Sequence, residues 1–395
     1  MRTFEQILAV SSISLRSLPQ RISTSLVSVI GIAGVVAVLL SVLSLSTGLA
    51  GALTATGRDD RAIVLHAQAR SETDSNLARD TIPTILDAPG IAKDHNGKPL
   101  GSAEALATVQ VPRADTGALN SIVLRGVAPS FLELRPEMHL VEGRSFHTGV
   151  RELIAGRATQ QRYHGLAVGS HVTFGDTQWT VVGVFDSGGG AHDSELLADA
   201  DTVESAYQRT AYNSVTVKLD GRGGFEKLKQ ALTQDPTLSV SVSSETAYYE
   251  QQSHQFSVVL EVIARVVCTI MAIGAIFSAL NTMYSAVSAR GTEIATLRAI
   301  GFGPAGVLVS VMVEALLLSL VGAVLGAAIA WTAFDGNTVS SLSGGGGLAQ
   351  VVFHLHIGSV LIVTGIVWAC VVGLLGGLLP AIRAARLPVA MAIRG

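Results

Sequence analysis

The chain has 395 residues, 49% of them hydrophobic, only 14% charged and 41 of them glycine, with a mean hydropathy of +0.47. A cytosolic globular protein carries about a quarter charged residues, so this balance excludes that class, and a net charge of -3 (27 basic against 30 acidic residues) offers no basic field for nucleic acid. Cys268 and Cys370 both sit inside apolar runs, which excludes a disulfide framework and a cysteine zinc site.

In chain order, residues 1–21 read as a cytoplasmic amphipathic segment and 22–50 as the first transmembrane helix, because no charged side chain lies between Arg21 and Arg58. Roughly 20 apolar residues at 1.5 Å each cross the hydrocarbon. A cleaved signal peptide would have a shorter apolar run of about 7–15 residues, so the first helix is expected to stay. Residues 51–255 form a hydrophilic insert, long enough for a compact domain with its own core. Apolar runs bounded by turn residues predict strands at 62–66, 107–111, 121–124, 171–174, 179–185, 214–219 and 238–242, with a hairpin turn at Gly175-Asp176. Helices are predicted at 77–86, 159–163, 202–208 and 225–232, the last between two strands in the manner of a βαβ unit.

The second transmembrane helix, at 256–289, carries a stalk extension: from Glu245 to Ser288 there is no proline and a single glycine, Gly274. One helix of that length would reach on the order of 65 Å. Glu261 and Arg265 stand four apart on it, in the order that favours an ion pair. Residues 290–303 make a short hook, 304–333 the third transmembrane helix, 334–356 a loop, 357–379 the fourth transmembrane helix and 380–395 a tail. Arg2, Arg16 and Arg21, then Arg290 and Arg298, then Arg383, Arg386 and Arg394 all flank the same side, whereas 332–356 holds no Lys or Arg. The positive-inside rule therefore puts both termini and the hook in the cytoplasm and the insert outside. The expected fold is an α-helical membrane protein with four transmembrane helices and a large α+β extracytoplasmic (periplasmic) domain between helices 1 and 2.

The insert holds eight scattered histidines (His66, His95, His139, His147, His164, His171, His192, His254) and no zinc, nucleophile-elbow or metalloprotease motif. Gly188 to Gly190, followed by His192, Asp193 and Glu195, reads as a polar turn more than a metal loop, and no metal is expected. His354 and His356 read as interfacial residues, and Gly344 to Gly347 as a linker. Glu314 lies inside the third span, where a carboxylate costs roughly 2.5–3.5 kcal/mol against lipid. It is expected to face other helices or to hold a proton. Gly322, Gly326, Gly373, Gly376 and Gly377 permit close helix contact. Without a nucleophile and base in the spans, an intramembrane enzyme is not expected.

The hook, NTMYSAVSARGTEIATLRAIGF from Asn281, places Ile294, Leu297 and Ile300 or Ala299 on one side of a helix, with Glu293 and Arg298 at its edges. Such a helix lies flat against something, either lipid headgroups or a partner. The pattern Arg290-x-x-Glu293-Ile294-x-x-Leu297-Arg298-Ala299-Ile300-Gly301 resembles the signature between the second and third spans of the MacB and FtsX-like permeases of ABC systems. Leu379-Pro380-Ala381-x-Arg383-Ala384-Ala385-Arg386-Leu387 resembles the family tail, although Pro388 follows Leu387 directly. Leu15-Arg16-Ser17-Leu18 and Gly31 to Val36 resemble its start, and Gly143-Arg144-x-Phe146, Glu152 to Gly156, Val168-Gly169 and Val181 to Val184 are weaker likenesses in the insert.

That resemblance implies a coupling helix seated in a separate cytoplasmic ABC ATPase subunit, through Arg290, Glu293, Ile294, Leu297, Arg298 and Ala299, with Gly301 setting the exit turn. It also implies a homodimer or a heterodimer of paralogous permeases, and mechanical transmission to the outside domain. The sequence has no Walker A motif, so ATP is expected to be bound by the partner and the chain to need no cofactor or catalytic residue. Tripartite efflux with a membrane-fusion adaptor and an outer-membrane channel is the function implied first. Regulation of a cell-wall hydrolase as in FtsX, or lipoprotein release as in LolC and LolE, are the alternatives. An insert of this size favours the MacB-like reading.

Overall fold

The structure, a computed structural model, describes residues 22–300, 303–340 and 351–386. It divides into two compact units: Met1–Thr47, Val258–Asn337 and Leu355–Gly395 form a membrane unit, and Gly48–Ser257 with Thr338–His354 forms an outer unit.

Among the described residues, four helices are long and apolar enough to cross a bilayer: α1 (Ile22–Thr56), α7 (Glu245–Ala289), α9 (Pro304–Phe334) and α10 (Ser359–Ala385). The first runs six residues past the expected boundary at 50, and the fourth continues through Pro380 to Ala385. In the membrane unit, small residues set the helix spacing: a Cβ on Gly373 would lie 2.5 Å from the Ser319 Cβ, and one on Gly376 would lie 2.6 Å from the Ala279 Cβ. Ile32, Val36 and Leu40 of α1 share a core with Ala323 and Ala327 of α9 and with Ala369 and Val372 of α10. A buried hydrogen bond of 2.8 Å from Ser28 to Thr282 ties α1 to α7, a polar contact that a lipid-facing helix would lack. Glu261 and Arg265 are both exposed and form no ion pair, contrary to the expectation from their spacing.

The outer unit is built on one sheet. Its strands are β1 (Arg61–His66), β3 (Gly101–Pro112), β4 (Leu119–Val127), β5 (His139–Gly143), β6 (Glu152–Gly156), β7 (His171–Phe174), β8 (Thr177–Asp186), β9 (Leu196–Asp199), β11 (Ser214–Lys218) and β12 (Val240–Ser244). The spatial order is β12-β1-β11-β3-β4-β9-β6-β8-β5, with β7 also on β8. All pairs are antiparallel except β4 with β9 and β6 with β8. In the central strands β6 and β8 the period of two sorts side chains between two cores: Leu153, Ala155, Trp179 and Val181 enter one, and Ile154, Val182 and Phe185 the other, whereas the edge strand β5 is exposed along its length.

Helix α6 (Gly224–Gln234) joins β11 to β12, which run parallel with β1 inserted between them, so the βαβ pattern is present in split form. The β7–β8 hairpin turns at Gly175-Asp176, with Gly175 at φ 60° in the first central position, as a type II′ turn requires. The helix predicted at 77–86 is shorter: Leu77–Ala78 is β2, paired with β10 (Ala211–Tyr212), and α2 covers only Thr81–Leu86. Pro83 keeps to the first turn of α2, where its missing N–H costs nothing. The loop at 334–356 is partly strand: β13 (Thr338–Ser340) pairs with β14 (Val352–His354), and Ser194 Oγ accepts the Val352 N–H at 2.6 Å. Gly344 to Gly347 lie outside the described residues.

Candidate functional site

Helix α7 ends at Ala289, Arg290 turns the chain at φ -108°, and the hook follows as helix α8 (Gly291–Ala299). Pro304 then opens α9 behind an extended Gly303, a position where proline needs no N–H partner. At 100° per residue, Ile294 and Ala295 fall on the inner side and are buried at 8% and 3% exposure. Ile294 joins Met283 and Val287 of α7, Val307 and Val311 of α9, and Ala381 and Ala384 of α10. The opposite arc, Thr292, Glu293, Thr296, Ala299 and Ile300, is exposed, whereas Arg298, which falls between Ile294 and Ala295 around the helix, is half-buried. Leu297 is on the helix backbone, and its side chain, like Gly301, is outside the described residues.

The structure seats two of the expected contact residues, Ile294 and Arg290, against other helices of this chain. Ile294 belongs to the bundle core, and Ile300, placed with it by spacing, is 71% exposed on the other side. Arg290 is also turned inward: its Nε donates to Glu293 Oε2 at 3.0 Å, and its Nη1 lies 3.6 Å from Glu314 Oε2. Glu314, about 15 Å along α9 from Pro304, is only 7% exposed and so avoids lipid. One guanidinium thus joins the turn before the hook, the first turn of the hook and the third span. Nearby, the Arg383 guanidinium lies over the Tyr284 ring at 5.3 Å.

A second charged constellation lies inside the outer unit; of its members the sequence reading singled out only His192 and Glu195, as parts of a polar turn. Arg125 of β4, 2% exposed, donates Nε and Nη2 to Glu195 at 2.8 Å each, Nη1 to Glu72 at 2.8 Å, and Nη1 to Glu104 at 2.5 Å. His192 Nδ1 stands 2.8 Å from Glu195 Oε2. Burial opposes ionisation of Glu195 and Glu72, but Arg125 outweighs it in both, with His192 adding to the effect on Glu195, and both carboxyls are held below the ordinary range. For Glu104 burial wins and its carboxyl is pushed up. Glu72, Arg125, Glu195, Tyr248 and Gln252 border a cavity of about 40 Å³, room for a water or two.

The neighbouring glycine turn is a staple: Asp193 accepts the Ser187 and Gly189 N–H groups at 2.5 and 2.9 Å. Among the described residues no group of three metal-ligating side chains forms. Spacing could not have shown the Arg125 cluster, because its members come from widely separated segments. An arginine inside the run Ile122 to Val127 was the available signal.

A pH dependence follows. Glu72 and Glu195 have lowered folded pKa values, so their stabilisation is complete above the unfolded value of about 4.3 and is lost as pH falls through the folded values. Glu104, raised, acts in the opposite sense. The two lowered groups are expected to dominate, so the thermal midpoint of the outer domain should drop steadily below about pH 4.3. Glu195→Gln should flatten that slope in a series of melts from neutral to acidic buffer, and an unchanged slope would count against this assignment.

A family model described as the MacB-like periplasmic core domain matches residues 25–235, and one described as the FtsX-like permease C-terminal matches 265–389. The chain belongs to the MacB/FtsX-like family of ABC permeases, multi-pass membrane proteins with an extracytoplasmic domain. The extracellular domain of the noncanonic ABC-type transporter YknZ from Gram-positive bacteria is similar at 14% identity, over 46% of this chain and 99% of that one, with a TM-score of 0.36. The periplasmic region of MacB from Actinobacillus actinomycetemcomitans is similar at 13% identity, over 48% of this chain and 90% of that one, with a TM-score of 0.37. No curated protein matches.

Proposed function

We propose that this chain is the transmembrane subunit of an ABC system in which helix α8 docks on a cytoplasmic ATPase and passes its ATP-driven motion to the outer domain. Both termini and α8 face the cytoplasm in this reading, as the arginine distribution supports. The observation that carries it is the two-sidedness of α8: its inner face is seated in the bundle through Ile294 and Arg290, while Thr292, Glu293, Thr296 and Ala299 are left for a partner. A helix merely resting on lipid would present a mainly apolar face outward, and with Ile300 included three of the five outward residues are polar. The permease works as a pair, with itself or with a paralogue, and ATP is bound by the partner, so the chain needs no cofactor of its own. The outer domain, sized like a MacB periplasmic core, serves efflux of a periplasmic substrate toward a membrane-fusion adaptor and an outer-membrane channel.

Affinity purification of the tagged chain from native membranes tests this reading. An ATP-hydrolysing protein and an adaptor should come with it. A cell-wall hydrolase or a lipoprotein in the adaptor's place would move the reading to the FtsX-like or LolC/LolE-like role, and no ATPase at all would end it.

A further inference from the structure

The root of α7 is held by an ion cluster that the transport reading does not itself require. Helix α7 starts directly after β12, and its first residue, Glu245, is 1% exposed. Glu245 Oε2 accepts from Arg61 Nε at 2.6 Å and from the Arg58 backbone N–H at 3.1 Å, and Oε1 lies 2.5 Å from Arg135 Nη1. Arg61, at the start of β1, also donates to the Leu134 carbonyl at 2.9 Å, to Glu137 Oε1 at 2.6 Å and to the Thr56 carbonyl, the last residue of α1, at 3.4 Å. Two guanidinium groups and two carboxylates balance. The backbones meet as well: a Cβ on Gly57 would lie 2.8 Å from Thr246 Cα and 3.0 Å from the Glu245 carbonyl. Within the outer unit, the end of α1, the start of β1, the short helix α3 (Phe131–Leu134) and the first turn of α7 therefore converge on one carboxylate.

Apolar contacts alone would let a helix slide or rotate at small cost, whereas a charge-assisted hydrogen bond from Arg61 and an ion pair with Arg135 fix its register. We propose that Glu245 is a positioning residue that makes the outer ends of the first two spans and the domain move as one piece, so that displacement of α7 is delivered to the whole domain. The inference rests on the transmission reading above and assigns the joint through which transmission passes.

The test uses the full permease with its co-purified ATPase in nanodiscs, with Cys268→Ala and Cys370→Ala as background and a spin label at Asn96→Cys on an exposed turn of the domain. The distance between the labels of the paired permeases is read with ADP and with a non-hydrolysable ATP analogue. The background protein should show a nucleotide-dependent change. Glu245→Gln should cut that change to less than a third while partner ATP hydrolysis stays within twofold, and Glu245→Asp should restore at least half. If Glu245→Gln loses the near-ultraviolet signature of a folded domain, the pair Glu245→Leu with Arg135→Met removes the charges and keeps the packing; it should fold and show the same loss. A background-sized change in any folded variant lacking the Glu245 charge overturns this inference alone. No change in the background protein overturns the transmission reading, and this inference with it.

Discussion

Replacing Arg125 by methionine is expected to leave the outer domain without a cooperative fold. The guanidinium is the cation in contact with Glu72, Glu104 and Glu195, and all four side chains are at most 9% exposed. Breaking a buried pair by removing one partner costs about 3–5 kcal/mol, and here Glu72 and Glu195 both lose their guanidinium, keeping only the Ser214 hydroxyl and His192 respectively. Glu104 softens the loss, since burial already pushes its carboxyl up toward the protonated form. The total approaches the roughly 5–15 kcal/mol that stabilises a domain. Limited proteolysis of the membrane-inserted chain checks it: the variant should be cut throughout the segment between α1 and α7. A protease-resistant domain melting within a few degrees of the original would show that the carboxylates take up protons at little cost.

The second large effect separates the two faces of α8. Thr296→Trp adds a bulky ring at an exposed position and should lower stimulation of the partner ATPase at least about tenfold, equivalent to about 1.4 kcal/mol of docking free energy, with normal insertion. Ile294→Asp should instead remove the folded chain from the membrane fraction, because it deletes core contacts worth about 2–5 kcal/mol and buries a charge among Val307, Val311 and Ala381. The readouts are membrane abundance for one and ATP hydrolysis at matched abundance for the other. If Thr296→Trp leaves stimulation intact, the exposed arc is not the docking face.

The spans were legible because membrane crossing is a compositional property: no charge falls between Arg21 and Arg58, and a run that long and apolar has few alternatives. Strands with clear alternation or turn punctuation, such as β7 and β8, were legible for the same local reason. Strands β5, β6 and β9 were not predicted. Leu196–Asp199 is four residues pressed between a turn and helix α5 (Ala200–Ala206), too short to show a period. The hook was legible as a helix but its faces were not. Ile294 and Ile300 both look apolar, and only the packing of α7, α9 and α10 decides which is buried. The pairing of Arg290 with Glu314 was hidden by the 23 residues between them, which the fold closes by reversing the chain through α8. Glu245 read as the first residue of a stalk, and nothing local told that Arg61 and Arg135 would meet it.

The placement of β1 has a consequence for biogenesis. Strand β1 is the first strand to leave the ribosome, yet both its neighbours in the sheet, β11 and β12, are made about 150 to 180 residues later. At roughly 5–20 residues per second, Ala62 and Val64 remain unpaired and apolar for on the order of 10 to 35 s while the intervening chain is synthesised and translocated. Pairings this distant in sequence also close slowly once available. Maturation of the outer domain is thus post-translocational, and a holdase that shields strand edges on the far side of the membrane would govern how much of it survives.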